Sequence, residues 1–327
     1  MSQILSYIPI DNYTTYAGET TSVELSYQVF GLSLGTAPVV LITHALTGNS
    51  QVSGVNGWWK SLVDNGKVID TQRYTVIAFD IPGNGFDGKP ENLFHNYRIF
   101  TAKDIARLIG LGLDKLKVDK LFANVGGSLG GGIAWELSVL RPNLAKHLVV
   151  VATDWKASDW VIANTLIQEN ILLNSSNALH DARMHAMLMY RTPESFTMKF
   201  NRTVNENLGM FNIVSWLNYH GKKLGERFTL SSYKQLNYIL STIDISKGFS
   251  NFKEAIYAVS ADIHVVSVDS DALFTLKEDK ETVRQLREIR QRSGQKLTHQ
   301  VIRSIHGHDA FLIEYDQLDN FLYPIFE

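Results

Sequence analysis

The sequence predicts an α/β fold, with a mostly parallel sheet, helices on both faces and an inserted helical lid. Short, near-continuously apolar runs alternate with helical patterns up to about residue 154, the signature of parallel strands covered on both sides. From 155 to 257 only helical segments are legible. Alternation then resumes from 258 to 327. The expected organisation is therefore one core built from 1–154 and 258–327, interrupted by a lid over 155–257.

The elements follow in order. PVVLITHA (38–45), YTVIAFD (74–80), KLFANVGG (120–127) and KHLVVVATD (146–154) read as buried strands that end at turn residues. TAKDIARLIGLGLDKL (101–116) and GIAWELSVLRP (132–142) carry helical spacing, the second stopped by Pro142. In the lid region, SNALHDARMHAMLMYRT and RFTLSSYKQLNYILSTID have helical character. DIHVVSVDSD (262–271) is the next strand, a charged helix spans 277–292, and LTHQVIRSIHGHDAFL (297–312) closes the pattern. The run KEDKETVRQLREIRQR is a solvated helix face.

Composition narrows the function classes. With 45% apolar and 20% charged residues and a net charge of -2, the chain has neither the basic footprint of a nucleic-acid binder nor that of an anionic-membrane binder. Small-molecule partners are expected. Cysteine is absent, which removes disulfides, thiolate nucleophiles and cysteine-ligated metals. MSQILSYIPIDNY has no basic start and no long apolar stretch, so the expectation is a cytoplasmic protein without a signal peptide.

The chemistry is carried by VGGSLGGGIAWEL (125–137), where Ser128 stands among glycines between a strand and a helix. In a G-x-S-x-G elbow the nucleophile occupies a strained turn, and side chains on its neighbours would collide with adjacent strands. Gly126, Ser128 and Gly130 fit that frame. A glycine-rich turn with a spectator serine and a phosphate cradle are the other readings of such a stretch, but no lysine follows as a P-loop requires. A serine elbow requires a downstream acid and base, in that chain order. HVVSVDSDALF supplies Asp269 and Asp271, and IRSIHGHDAFL supplies His306 and His308, each after a strand. Asp271 and His308 complete the expected triad. A metallohydrolase reading of H-G-H-D fails on spacing, because Asp309 follows His308 immediately and no third histidine comes after it, so no metal is expected.

An oxyanion hole needs two backbone donors, and Leu129 N–H, after the nucleophile, is one. Leu46 N–H, in the loop that leaves VVLIT, is the expected second. His44 reads as a structural hydrogen-bonder that shapes this loop. FDIPGNGFDGKP holds G-x-G-x-x-G at Gly83, Gly85 and Gly88, yet Pro82 and Pro90 bracket a loop with no helix behind it, which excludes a dinucleotide site.

Taken together, HALTG (44–48), GWW (57–59) with GKVIDTQRYTVI, GGSLGG (126–131), ARMHAMLMYR (182–191), YHGKKLGERF (219–228), DSDALF (269–274) and GHDAFL (307–312) resemble the homoserine O-acetyltransferases of the α/β-hydrolase fold. The segments run in family order from about 25 to 315 and reach into the lid. The resemblance implies a ping-pong transfer of acetyl from acetyl-CoA, a co-substrate and not a bound cofactor, to the hydroxyl of homoserine in methionine biosynthesis. It further implies that Arg202 binds the acceptor's carboxylate, that Tyr219 lies near the acceptor, that Asp309 meets its ammonium, and that the lid helices form a homodimer. Arg183 and Arg191 share a helical face and rank behind Arg202 as lid-lining groups. The chain departs from the family at DIPGNGFDGKP, shorter than the usual glycine-rich loop, at Gln51 in place of a histidine, and at Leu129 where methionine is common. Succinyl-CoA as donor, serine as acceptor and plain ester hydrolysis are the alternatives these departures leave open.

Overall fold

The computed structural model describes residues 4–290 and 294–327. Eight strands form the main sheet: β1 (Ser6–Thr14), β2 (Thr20–Gly31), β3 (Val39–Thr43), β4 (Thr75–Phe79), β5 (Leu121–Gly127), β6 (Ala145–Val151), β7 (Asp262–Val268) and β8 (Leu297–Ile302). Their order across the sheet is β1-β2-β4-β3-β5-β6-β7-β8. β1 and β2 pair antiparallel with each other and β2 antiparallel with β4, while every other neighbouring pair is parallel.

Burial explains which strands the sequence announces. β3 and β4 are buried at every residue because both of their faces are covered. Val39 and Leu41 face one core layer while Val40 and Ile42 face the other. On the first face, α1 (Ala102–Lys115) and α2 (Leu129–Leu140) pack through Ile105, Ile109, Ile133 and Leu137. On the second face, α10 (Tyr315–Phe326) contributes Leu318, Leu322 and Phe326 beside the buried Trp59. β1 and β2, at the sheet's edge, alternate buried and open positions instead, and the continuous apolar signature of the central strands does not mark them.

Between β6 and β7 the chain forms α3 (Asp159–Asn174), α4 (Ala178–Tyr190), α5 (Pro193–Phe200), α6 (Asn212–Gly225), α7 (Leu230–Ser241) and α8 (Phe252–Tyr257). Ser158, Thr192 and Thr229 cap α3, α5 and α7 with side-chain oxygens that accept from first-turn N–H groups. A two-residue strand pair, Val204–Asn205 with Met210–Phe211, interrupts the helices where the sequence shows no strand. The expected lid boundary at 257 also needs correction. Phe252, Ala255 and Ile256 of α8 pack with Trp135, Leu148 and Val150 and with Val283 and Leu286 of α9 (Leu276–Arg290), so α8 belongs to the core.

The edge hairpin is tied to the first face by one carboxylate. Asp104, fully buried, accepts from Tyr13 Oη (2.9 Å), Tyr16 N (2.9 Å), Thr101 N (2.9 Å) and Thr101 Oγ1 (2.7 Å), closing a capping box at the start of α1. Truncation to alanine takes this acceptor from the buried Tyr13 hydroxyl and from three part-buried donors. Asp104→Ala is therefore expected to lower stability by about 3 kcal/mol, read as a lower urea midpoint with an unchanged slope.

Candidate active site

Four loops leave the carboxyl edge of the parallel strands and meet. β3 and β5 are in register with Thr43 beside Gly126, so the loop carrying Leu46 and the elbow carrying Leu129 emerge side by side, three residues further on. β7 and β8 are in register at Val268 and Ile302, which sends the Asp271 and His308 loops out together.

The glycines around Ser128 answer to space. A Cβ on Gly126 would lie 2.2 Å from Gly130 O, and one on Gly130 would lie 2.1 Å from Thr43 O. α2 thus begins in backbone contact with β3. Ser128 itself holds φ 54° and ψ -127°, a conformation costly for a residue with a side chain, and its N–H is anchored to Val151 O at 2.9 Å. The turn aims Oγ away from the sheet and toward the histidine loop.

Ser128 Oγ–H donates to His308 Nε2 at 2.8 Å, and His308 Nδ1–H donates to Asp271 Oδ2 at 2.6 Å. Asp271 Oδ1 accepts from Leu273 N (2.7 Å) and Phe274 N (3.0 Å), which fixes the carboxylate plane. All three side chains are buried, and the imidazole sits among the rings of Tyr190 (5.5 Å), Phe274 (5.8 Å) and Phe311 (5.5 Å). Burial alone would push His308 down, but the charge and hydrogen bond of Asp271, with the charge of Asp309, outweigh it and hold the imidazole above the ordinary histidine value. The other candidates at these loops have supporting places: Asp269 accepts from Ser304 N (3.0 Å), and His306 Nδ1 meets Ser195 Oγ (2.9 Å).

Leu46 and Leu129 are buried, and the N–H of neither is donated to any acceptor among the described residues. His44 sets the loop ahead of Leu46. Its Nε2 accepts Ile81 N–H at 3.0 Å, which places the hydrogen on Nδ1, donated to Ala45 O at 2.7 Å. Burial holds this ring in its neutral form by lowering its pKa. Gly83, Gly85 and Gly88 all take positive φ and wind a series of turns, and Gln235 of α7 donates to Pro82 O at 2.6 Å, so the glycine pattern there is a lid-docking loop.

The substrate-binding expectations fare unevenly. Arg202 is exposed and stacks on Phe211 with Cζ 5.5 Å from the ring, because Asn201 and Arg202 both adopt left-handed backbone (φ 40° and 55°) that turns the chain outward after α5. Tyr219 is 56% exposed on α6. Neither contacts the triad among the described residues, which corrects the expectation that they line the acceptor site of this chain. Asp309 does lie beside the triad, where its Oδ2 accepts from Arg191 Nε at 2.8 Å. Sequence reading also missed a clamp. Thr192 Oγ1 donates to Ile305 O, and Gly307 approaches Tyr190 O closely, so the α4–α5 joint grips the histidine loop. Long-range contacts of this kind leave no local pattern. No group of three or more histidine or acidic side chains is placed to hold a metal among the described residues, and no described helix is long and apolar enough to cross a membrane.

Comparison with known proteins places this geometry. A profile of the alpha/beta hydrolase fold matches residues 38–197. A protein named homoserine O-acetyltransferase from Nautilia profundicola is 30% identical over 90% of this chain and 90% of its own length. One of the same name from Symbiobacterium thermophilum is 30% identical over 91% of this chain and 87% of its own. The chain belongs to the homoserine O-acetyltransferase family. A crystal structure of a homoserine O-acetyltransferase from Bacillus anthracis superposes with a TM-score of 0.88 at 21% identity, covering 99% of this chain and 97% of that one. Esterase E22 gives 0.87 at 18% identity, covering 99% and 100%. At these identities the two structures share the fold of this family member, and that fold serves both acyl transfer and ester hydrolysis.

Because a neutral imidazole must accept the serine proton, activity falls as pH drops through the His308 pKa. The acid limb of kcat/KM is expected above the free-histidine value of about 6.5. Asp271→Asn removes the charge that raises it, so the limb should move down while kcat falls on the order of 10⁴-fold; a pH–rate series on both proteins reads the two effects.

Proposed function

We propose that this protein is an acyltransferase that moves an acetyl group from acetyl-CoA to the side-chain hydroxyl of homoserine, in the cytoplasm, as a step of methionine biosynthesis. The supporting observation is the unbroken line of hydrogen bonds Ser128–His308–Asp271, found in a chain aligned over nine-tenths of its length with proteins of that name. His308 takes the Ser128 proton as Oγ attacks the thioester carbonyl. The tetrahedral oxyanion is held by the N–H groups of Leu46 and Leu129. As the intermediate collapses, His308 returns the proton to the departing CoA sulfur, and the acetyl group stays on Ser128. In the second half-reaction the homoserine hydroxyl gives its proton to His308 and attacks the acetyl-enzyme; as that intermediate collapses, the Ser128 Oγ–acetyl bond breaks, His308 returns the proton to Oγ, and O-acetylhomoserine leaves.

Transfer in place of hydrolysis requires that water be kept from the ester. The burial of all three catalytic side chains beneath α4 and the Tyr190 ring favours this outcome. Asp309 is suited to the acceptor's ammonium, which it would share with Arg191. The lid also supports a homodimer. α3 exposes Ile162, Leu166 and Leu173 along one side and Trp160 and Ile167 along another, apolar surface suited to a second copy of the chain. Light scattering on the purified protein should give twice the chain mass, and Leu166→Glu with Ile167→Glu should return it to the monomer mass.

The deciding experiment measures free CoA thiol. Acetyl-CoA alone should release little, and added homoserine should give sustained release with O-acetylhomoserine as product. Ser128→Ala should lower that rate on the order of 10⁴-fold or more. Fast hydrolysis of p-nitrophenyl acetate that ignores both CoA and homoserine would replace the acyltransferase by an esterase.

A further inference from the structure

The loop that brings the base to the site is shaped by side chains. β8 ends at Ile302, and the N–H groups of Arg303, Ser304, His306 and Gly307 then donate in turn to Gln317 Oε1 (2.9 Å), Asp269 Oδ1 (3.0 Å), Ser304 Oγ (3.1 Å) and Ser270 Oγ (3.0 Å). Ser270 does more than the others. Its Oγ–H donates to Ser304 O while the same oxygen accepts Gly307 N–H, so one hydroxyl holds the loop at two points. Ser270 precedes Asp271, and Gly307 precedes His308. Together with the 2.6 Å bond from His308 Nδ1 to Asp271 Oδ2, these contacts close a ring through the acid, the base and the residue before each.

The loop is under tension from two sides. The lid grips it through Thr192 Oγ1 on Ile305 O, Ser195 Oγ against His306 Nδ1 (2.9 Å) and Arg191 Nε on Asp309 (2.8 Å). Gly307 has no slack to give, since it holds φ 65° and a Cβ on it would lie 2.8 Å from Tyr190 O. Opposite the lid stand Ser270 and Asp269, and the second oxygen of Asp269 reaches only the exposed Arg303, at 3.4 Å.

We propose that Ser270 is a positioning residue: by fastening the acid loop to the base loop at Ser304 and at Gly307, its hydroxyl sets the separation of Asp271 and His308. The inference rests on the proton relay of the proposed function and is indifferent to which acceptor takes the acetyl group. A hydroxyl suits the task because it gives and takes a hydrogen bond at one atom. The charges that act on the imidazole are Asp271, across that separation, and Asp309 on its own loop, which is paired with Arg191 of α4; the rings of Tyr190, Phe274 and Phe311 around it are neutral. A base loop released toward the lid would carry Asp309 along and leave Asp271 behind. Burial then gains on the remaining charge, and the imidazole becomes less basic. The basicity of His308 therefore reports the hold of Ser270 while Asp271 itself is untouched.

The test follows the pH dependence of acylation by p-nitrophenyl acetate, a donor that needs neither CoA nor homoserine, together with the proton NMR signal of His308 Nδ1–H. Ser270→Ala should slow acylation on the order of 10- to 100-fold at an unchanged KM, the scale of a small misplacement in a relay. It should also move the acid limb down by about half a pH unit or more and shift the Nδ1–H signal upfield. Ser270→Thr, which keeps the hydroxyl, should return the rate to within about threefold of wild type and restore the limb and the signal. Asp104→Ala, which weakens the fold elsewhere, should lower the urea midpoint and leave limb and signal in place. A Ser270→Ala protein that is less stable but keeps the wild-type rate, limb and signal would overturn the inference, as would a Ser270→Thr protein that behaves like Ser270→Ala. If Ser270→Ala does not fold, Ser270→Cys, with weaker hydrogen bonds at the same position, must move the limb in the same direction or the inference fails. A wild type with the expected limb and signal that releases no CoA on addition of homoserine would overturn the proposed function and leave the role of Ser270 standing.

Discussion

The structure depends on one close approach: the first turn of α2 begins where the carbonyl of Thr43 already occupies the space a Cβ would need. Only backbone fits there, and the fit forces the chain at Ser128 into a positive φ. Three results follow from this one contact. The hydroxyl is lifted off the sheet edge, the Leu129 N–H is left without an acceptor among the described residues, and β3 and β5 deliver their loops to the same spot. The strain at Ser128 is held because Gly126, Gly130 and the Ser128–Val151 hydrogen bond leave the chain no other path.

Electrostatically the site is a contest decided by geometry. A histidine enclosed by three aromatic rings would ordinarily remain neutral and weakly basic. Asp271, fixed by two backbone donors and 2.6 Å from Nδ1, reverses that tendency. His44 shows the opposite outcome a few residues from the oxyanion hole. Its ring nitrogens meet Ala45 O and Ile81 N–H, burial outweighs the nearby charge of Asp80, and the ring serves as a neutral spacer between two loops.

What could be read from the sequence tracks what leaves a local trace. The central strands were legible because both faces are buried and their residues are nearly all apolar. The triad was legible because each member follows such a strand in a fixed chain order. β1 and β2 were not, since an edge hairpin with one open face mixes polar and apolar residues. α8 was assigned to the lid because its helical pattern does not say which layer it will join. The largest misreading concerns Arg202. A short motif gives residue type and position along the chain, but the left-handed pair at Asn201 and Arg202 that turns the side chain outward has no marker that a motif could carry. Arg183 and Arg191 have the same chemistry as Arg202, and only the packing of α4 on the histidine loop distinguishes them.

That packing changes how the lid itself should be regarded. Arg191, Thr192 and Ser195 hold Asp309, Ile305 and His306, so the joint between α4 and α5 is fastened on either side of the base. A cap that swung freely on its connections could open and shut without disturbing the groups beneath it. Here any displacement of that corner drags the imidazole with it, and access to the pocket is thereby geared to the alignment of the proton relay.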